Sequence, residues 1–377
     1  MRNLFAFYVL AFTLAANAPA SLAADSLPPA PDAGRYQIDH SWPKRPLPNN
    51  SALGPIAGIF VDARDHVWIS HKPSQLDPAI LNAAVTPAHG KCCIPAPPVI
   101  ELDEAGGIVQ TWGGPGQGYD WPTNTHGFFI DYKGNVWIGG SKTRDNDGLP
   151  ADGMVVKFTR DGKFLMQIGG RGPSKGSTDP IHLWGASNVV VDPKTNEAFI
   201  SDGYGNHRVL VVDADTGKFK RQWGAYGKPP TDHDVGPYDP KAPPPQQFRI
   251  VHCLRLANDG LLYVCDRLND RIQVFKTDGT FVKEFVYAKE TLGSGSVGTV
   301  SFWPDAAQSF LAINDPGNYQ VRFVRREDGK EMGAFGHYGT QGGELDRNHE
   351  AAFDSHGNIY VSDFNRVQRF KMTPESR

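Results

Sequence analysis

Three histidines, His126, His252 and His349, are the residues whose type and spacing could do chemistry together. Imidazole is the commonest side-chain ligand of transition metals. Three imidazoles that leave open coordination positions are the donor set of a catalytic zinc, which polarises a bound oxygen and lowers its pKa. Taken singly, each reads equally well as a strand-start histidine bonded to a backbone carbonyl. Among the 12 histidines of the chain, these three are set apart by sharing one phase of an internal repeat. His40, His66, His89, His207, His233 and His356 show no such phase and are expected at the surface.

The repeat is the element that must position them. Apolar strand, Asp, turn and second apolar strand recur at residues 61–69, 130–138, 190–202, 254–266, 300–315 and 352–363, mostly with Gly or Asn at the turn. A third alternating strand follows, as at 154–158, 208–212 and 271–275. The fourth often ends in an aromatic residue and a glycine, as at Trp112-Gly113, Trp223-Gly224 and Phe335-Gly336. Four strands per unit, six times over, predict an all-β, six-bladed β-propeller. The last unit has three strands, and the orphan segment 36–42 supplies a fourth, so the N-terminal strand is expected to close the last blade.

On this alignment His126 and His349 each lie five residues before the Asp of their unit, and His252 has the same offset once Gly260 is matched to Gly134. The corresponding positions of the other units are Ala57, Ser187 and the neighbourhood of Gly298. Only alternate blades carry histidine. Innermost strands line the channel, so residues on alternate blades are related by about a third of a turn and should converge on one axial point.

Two insertions break the pattern, at 72–98 inside the first blade and 228–247 between the third and fourth, and such loops commonly cover or bind. The chain has four cysteines. Cys253 and Cys265 flank one hairpin turn almost symmetrically, within reach of a cross-strand disulfide, while Cys92-Cys93 is a neighbouring pair in the first insertion. Ordinary disulfides, buried thiols and soft metal ligands all remain open readings for them.

The repeat units resemble NHL repeats over nearly the whole chain beyond its first residues. Within that superfamily, Thr125-His126-Gly127, 201–206, 251–254, Cys265-Asp266-Arg267 and Asn348-His349 are similar to the peptidyl-α-hydroxyglycine α-amidating lyase domain. The resemblance implies zinc on His126, His252 and His349, Tyr204 acting on the substrate hydroxyl, and Arg267 supplying positive charge. It implies carbon–nitrogen cleavage to glyoxylate and an amide, with calcium as a structural ion. A second arginine of that site is replaced here by Lys72, which keeps the charge and loses the planar fork that clamps a carboxylate. Tyr204 in its glycine-rich turn could equally cover a blade edge, and Arg267 could pair with one of the strand-end aspartates, Asp202, Asp266, Asp315 and Asp363.

Whole-chain properties bound the rest. Residues 1–24 have the short basic start, apolar core and small-residue end of a signal peptide, which predicts export to the periplasm or beyond. No later segment is long and apolar enough for a transmembrane helix. Residues 34–372 are expected to form one propeller. A net charge of -3 argues against a nucleic-acid partner, leaving a small-molecule or peptide substrate and a monomer as the expectation. A propeller that binds protein without catalysis, and a metal-dependent hydrolase such as a lactonase, are the competing functions, because a fold alone does not choose.

Overall fold

In the first, second and sixth repeats the hairpin forms because an Asp locks the turn. The Asp131 carboxylate accepts from the backbone N–H of Lys133 and Asn135 and from the indole of Trp137 on the returning strand. Asp62 does the same for Arg64, His66 and Trp68, and Asp354 for His356, Asn358 and Tyr360. Turn and strand pairing are thus fixed by one side chain whose alternative would be an unsatisfied buried charge.

The computed structural model describes residues 30–373 apart from 86, 88, 91, 145–150 and 173. The expected signal segment therefore lies outside the described residues. Among these, six four-stranded antiparallel sheets follow one another. The first is Ile56–Val61, Val67–His71, Val99–Leu102 and Ile108–Trp112, and the next begins at Thr125–Ile130. The third to fifth begin at Ala186–Asp192, Val251–Leu256 and Thr299–Phe302. The sixth takes Ala351–Phe353, Ile359–Asp363 and Arg366–Met372 with Tyr36–Ile38 on its edge, Tyr36 opposite Met372. That N-terminal strand is shorter than the 36–42 expected, because the chain turns at Asp39, whose carboxylate accepts from Ser41 N–H.

The core lies between blades. One cluster packs Val190, Phe199 and Val209 of the third sheet on Val251, Leu254 and Val264 of the fourth. The series closes where Tyr360 and Val367 of the sixth sheet meet Ile59, Val67 and Ile69 of the first. The ring is therefore complete, and its innermost strands face one axis. No helix of the described residues is long and apolar enough to cross a membrane.

The strand-end aspartates tie the last four blades. Asp202 holds Arg208, Asp266 holds Arg271, Asp315 holds Arg322 and Asp363 holds Arg366. Arg267 is in none of these pairs, which removes the structural role open to it in the sequence. Cys253 lies directly opposite Cys265 with 4.9 Å between Cα atoms, and the two form a disulfide; Cys92 and Cys93 form another. None of the four is left as a soft metal ligand.

Candidate metal centre at the channel mouth

His126 and His252 sit where their strands are irregular, and His349 lies two residues before its strand, Ala351–Phe353. Pairing of the innermost strand with its neighbour slips between Thr125 and Phe128 and between Val251 and Cys253, and likewise around Ala57 and Ser187. A bulge re-aims a side chain that regular pleating would have sent into the blade. Gly127 makes the neighbouring approach feasible, since a Cβ there would sit 2.2 Å from the Ser187 carbonyl oxygen.

The three imidazoles meet on the axis. Ring centroids are 4.8 Å apart for His126 and His252, 4.5 Å for His126 and His349, and 5.1 Å for His252 and His349. Their candidate ligand atoms all lie within 4.8 Å of one another. His126 Nδ1 is 2.8 Å from the carbonyl of Ser187, and His252 Nδ1 is 2.7 Å from that of Gly298. A carbonyl only accepts, so Nδ1 carries the proton and Nε2 presents a lone pair. His349 Nδ1 is buried without a hydrogen-bond partner. The partners of His126 and His252 are thus the same phase of the intervening blades, Ser187 and Gly298. A carbonyl-bonded Nδ1 and a metal-ligating Nε2, alternatives in the sequence, are thus compatible on one ring, the arrangement that orients metal-bound histidines.

The Nε2 atoms are short of donors. His252 Nε2 is buried with no hydrogen-bond partner, and His126 and His349 bring their Nε2 atoms to 3.0 Å. Burial, with His349, Lys72 and Arg267 nearby, holds His126 well below the usual imidazole range. Burial and Arg267 do the same for His252, while burial, Lys72 and Arg267 push His349 down to about 3. Neutral imidazoles with converging lone pairs fit a cation that prefers nitrogen, as zinc does.

Around this point lie the other expected residues. Tyr204 Oη is 3.0 Å from His126 Nε2 and receives a hydrogen bond of 3.3 Å from Arg267, whose guanidinium lies 5.7 Å from the Tyr204 ring centre. Gly203 lets the Tyr204 turn press on the backbone of Val251, beside His252, where a Cβ would meet the carbonyl oxygen at 2.3 Å. Lys72 begins the 72–98 insertion, half-buried, and burial pushes its amine down to about 8 with Asp152 opposing. Its charge reaches His126 and His349, so it belongs to the same mouth.

Sequence reasoning missed the layer beneath. Glu350, immediately after His349, is buried, accepts from Ile59 N–H and pairs with Arg255, which also bonds Asn188. Its phase beside the histidine was the available signal. His66 and His207 are half-buried and bonded, to Glu101 and to the Arg249 carbonyl, rather than free at the surface. Calcium, which takes six to eight oxygen ligands, finds no fitting cluster of side chains among the described residues. The one other group of potential ligands, Asp62, His66 and Glu101, is already neutralised by Arg64 and Arg160.

Fold and site together define an NHL-type six-bladed propeller with an imidazole triad at one channel mouth. The chain resembles the peptidylglycine α-amidating enzymes. It is 30% identical over 259 residues to mouse (Mus musculus) peptidyl-glycine alpha-amidating monooxygenase, covering 67% of this chain and 24% of that protein. Xenopus laevis peptidyl-glycine alpha-amidating monooxygenase A is 30% identical over 257 residues, covering 66% and 24%. Human (Homo sapiens) NHL repeat-containing protein 3 is 24% identical over 250 residues, covering 64% and 57%. The chain thus spans 24% of the length of the mouse amidating enzyme it matches. A structural genomics protein of unknown function from Bacteroides thetaiotaomicron superposes with a TM-score of 0.52 at 12% identity, covering 85% of this chain and 70% of that one, a likeness of fold alone. No protein-family profile matches the chain.

Proposed function

We propose that this protein is an exported, zinc-dependent lyase that cleaves the carbon–nitrogen bond of an N-acyl or peptidyl α-hydroxyglycine, releasing glyoxylate and an amide. The observation that carries the reading is the convergence of three Nε2 atoms beside a tyrosine oxygen that Arg267 also bonds. Held by His126, His252 and His349, zinc would supply Lewis acidity toward the substrate hydroxyl oxygen. Tyr204 moves the proton, taking it from that hydroxyl and delivering it to the departing nitrogen as the carbon–oxygen double bond forms and the carbon–nitrogen bond breaks. Arg267 and Lys72 offset the negative charge of the substrate carboxylate and of the developing oxyanion. The buried walls around the histidines keep water from the reacting carbon.

The test is glyoxylate release from an N-acyl-α-hydroxyglycine by the zinc-loaded protein, compared with His252→Ala. A protein that purifies without stoichiometric metal would sink the reading. One that holds metal, releases no glyoxylate and opens lactones would transfer the site to a hydrolase. Export is tested by N-terminal sequencing of the protein from its native source, with a start after residue 24 expected.

A further inference from the structure

Beneath the three imidazoles, and unused by the steps above, an ion pair crosses the channel. We infer that Arg255 and Glu350 are positioning residues of the metal centre, a strut that holds the histidine-bearing blades in register before any metal binds. The inference rests on the metal-binding part of the reading above and not on the lyase chemistry.

The strut gathers oxygens from three blades onto one guanidinium. Arg255 lies in the innermost strand of the fourth blade, Val251–Leu256. One of its terminal nitrogens donates to Asn188 Oδ1 of the third blade at 3.0 Å and to the Leu254 carbonyl at 2.8 Å. The other pairs with Glu350, which directly precedes the Ala351–Phe353 strand of the sixth. The second Glu350 oxygen accepts from Ile59 N–H of the first blade at 3.0 Å. A single cation and a single carboxylate thus tie the third, fourth, sixth and first blades.

Each anchor neighbours a group that aims an imidazole. Asn188 follows Ser187, whose carbonyl holds His126 Nδ1. It also packs on Gly127, where an added Cβ would stand 2.5 Å from the Asn188 Cα. Leu254 lies two residues after His252, and Glu350 directly follows His349. Ser362 pins that last pair, since its hydroxyl accepts from Glu350 N–H and its carbonyl from His349 N–H. A shift at either end of the strut therefore moves a histidine or the carbonyl that orients one.

Burial and bond direction suit the pair to alignment more than to stability. Asn188 and Glu350 are buried and the Arg255 side chain is 16% exposed, so both charges have lost most of their water. Apolar residues of the same volume often stabilise as well as such a pair does. What they lack is direction, because a guanidinium bonds its partners only along its planar fork. Zinc–imidazole bonds are about 2.0–2.1 Å long, so three Nε2 lone pairs must be held close although they gain nothing from one another without metal. His349 Nδ1 has no hydrogen-bond partner to set its ring, which leaves Glu350 as the adjoining fixed point.

The test replaces the pair by neutral side chains of similar volume, Arg255→Met with Glu350→Gln, so that no buried charge is left unpaired. Zinc affinity is read by competition with a chromophoric chelator. In the metal-free protein, isotope-edited NMR reads the Nδ1–H protons of His126 and His252. The expected double variant melts close to wild type, binds zinc about 10–100-fold more weakly, and shows exchange-broadened Nδ1–H signals where the wild type shows sharp ones. Arg221→Met is the control. Arg221 also ties the third and fourth blades, through Glu197 and the Thr277 carbonyl, but from an outermost strand, and its loss should move neither readout. Either readout at the wild-type level in the folded double variant overturns the strut, as does an equal loss in Arg221→Met. Should the double variant fail to fold, Arg255→Lys, which keeps the charge and loses the fork, is judged by the same criteria. A wild type that binds no zinc overturns the metal reading, and the Nδ1–H signals still decide whether the strut aims the rings.

Discussion

Truncating His252 to alanine removes the one imidazole whose Nε2 has no partner at all, so its effect should depend almost wholly on metal. Without metal, loss of packing costs about 2–4 kcal/mol, and release of a buried unsatisfied nitrogen returns about 1–3 kcal/mol. The net is small. With metal the balance changes. Four-ligand zinc sites are worth roughly 10–16 kcal/mol, so one ligand of such a set carries about 3 kcal/mol, or roughly a hundredfold in affinity. At free zinc a thousandfold above the wild-type dissociation constant, binding stabilises the native state by about 4 kcal/mol. Unfolding entropy for a chain with ~340 ordered residues is about 0.7 kcal/mol/K. Zinc should therefore raise the wild-type Tm by about 6 °C. In His252→Ala the same zinc is only about tenfold above the dissociation constant, and the rise should fall to about 2 °C. The assay is differential scanning calorimetry of protein stripped with chelator and reloaded, with metal content measured on the same samples. A wild-type Tm indifferent to zinc, or a variant that keeps the full rise, would refute the reasoning.

Tyr204→Phe keeps the ring that packs beside His126 and deletes the proton carrier, so glyoxylate release should drop by about 10²–10⁴ in kcat while metal content stays at the wild-type level. Arg267→Lys should lower kcat/KM by roughly tenfold or more, because an ammonium cannot both bond the Tyr204 oxygen and present a planar fork, and a KM unchanged alongside kcat would contradict this. Replacing Cys253 and Cys265 together by alanine opens a loop of sequence separation 12, for which chain entropy gives a loss of about 3 kcal/mol; urea unfolding measures it, with no change in metal content expected. Asp270 is buried, and burial pushes its carboxyl up to about 6. A carboxyl raised in the folded state favours folding most when protonated, so its burden on stability is present above about pH 6 and fades as pH falls toward the unfolded value near 4. Asp270→Asn should then stabilise by about 1–2 kcal/mol at pH 8 and by much less at pH 4; equal gains at both would point to another cause.

The propeller was legible because its signals are local. In three repeats Asp at the end of one strand and Trp or Tyr in the next report a hairpin whose turn the carboxylate locks, and six hairpins in all with an orphan strand at the start leave little choice of architecture. The phase of His126, His252 and His349 was legible for the same reason, since equal offsets in equal repeats become equal heights in a ring. Their shared phase did not reveal how the rings are aimed. That depends on bulges at His126 and His252 and on carbonyls of Ser187 and Gly298, distant in sequence from their partners and supplied only when neighbouring blades pack.

Tyr204 and Arg267 had two readings each in the sequence because a turn tyrosine and a strand-end arginine carry no phase information. Tertiary structure assigns the blade-tying role to Arg208, Arg271, Arg322 and Arg366 and brings Arg267 within hydrogen-bond reach of Tyr204 across two blades. Glu350 and Arg255 beneath the triad were invisible for a related reason. They are residues from different blades whose only common property is nearness. Sequence by itself determines what each repeat will do to its own backbone; only closure of the ring determines which side chains share the axis.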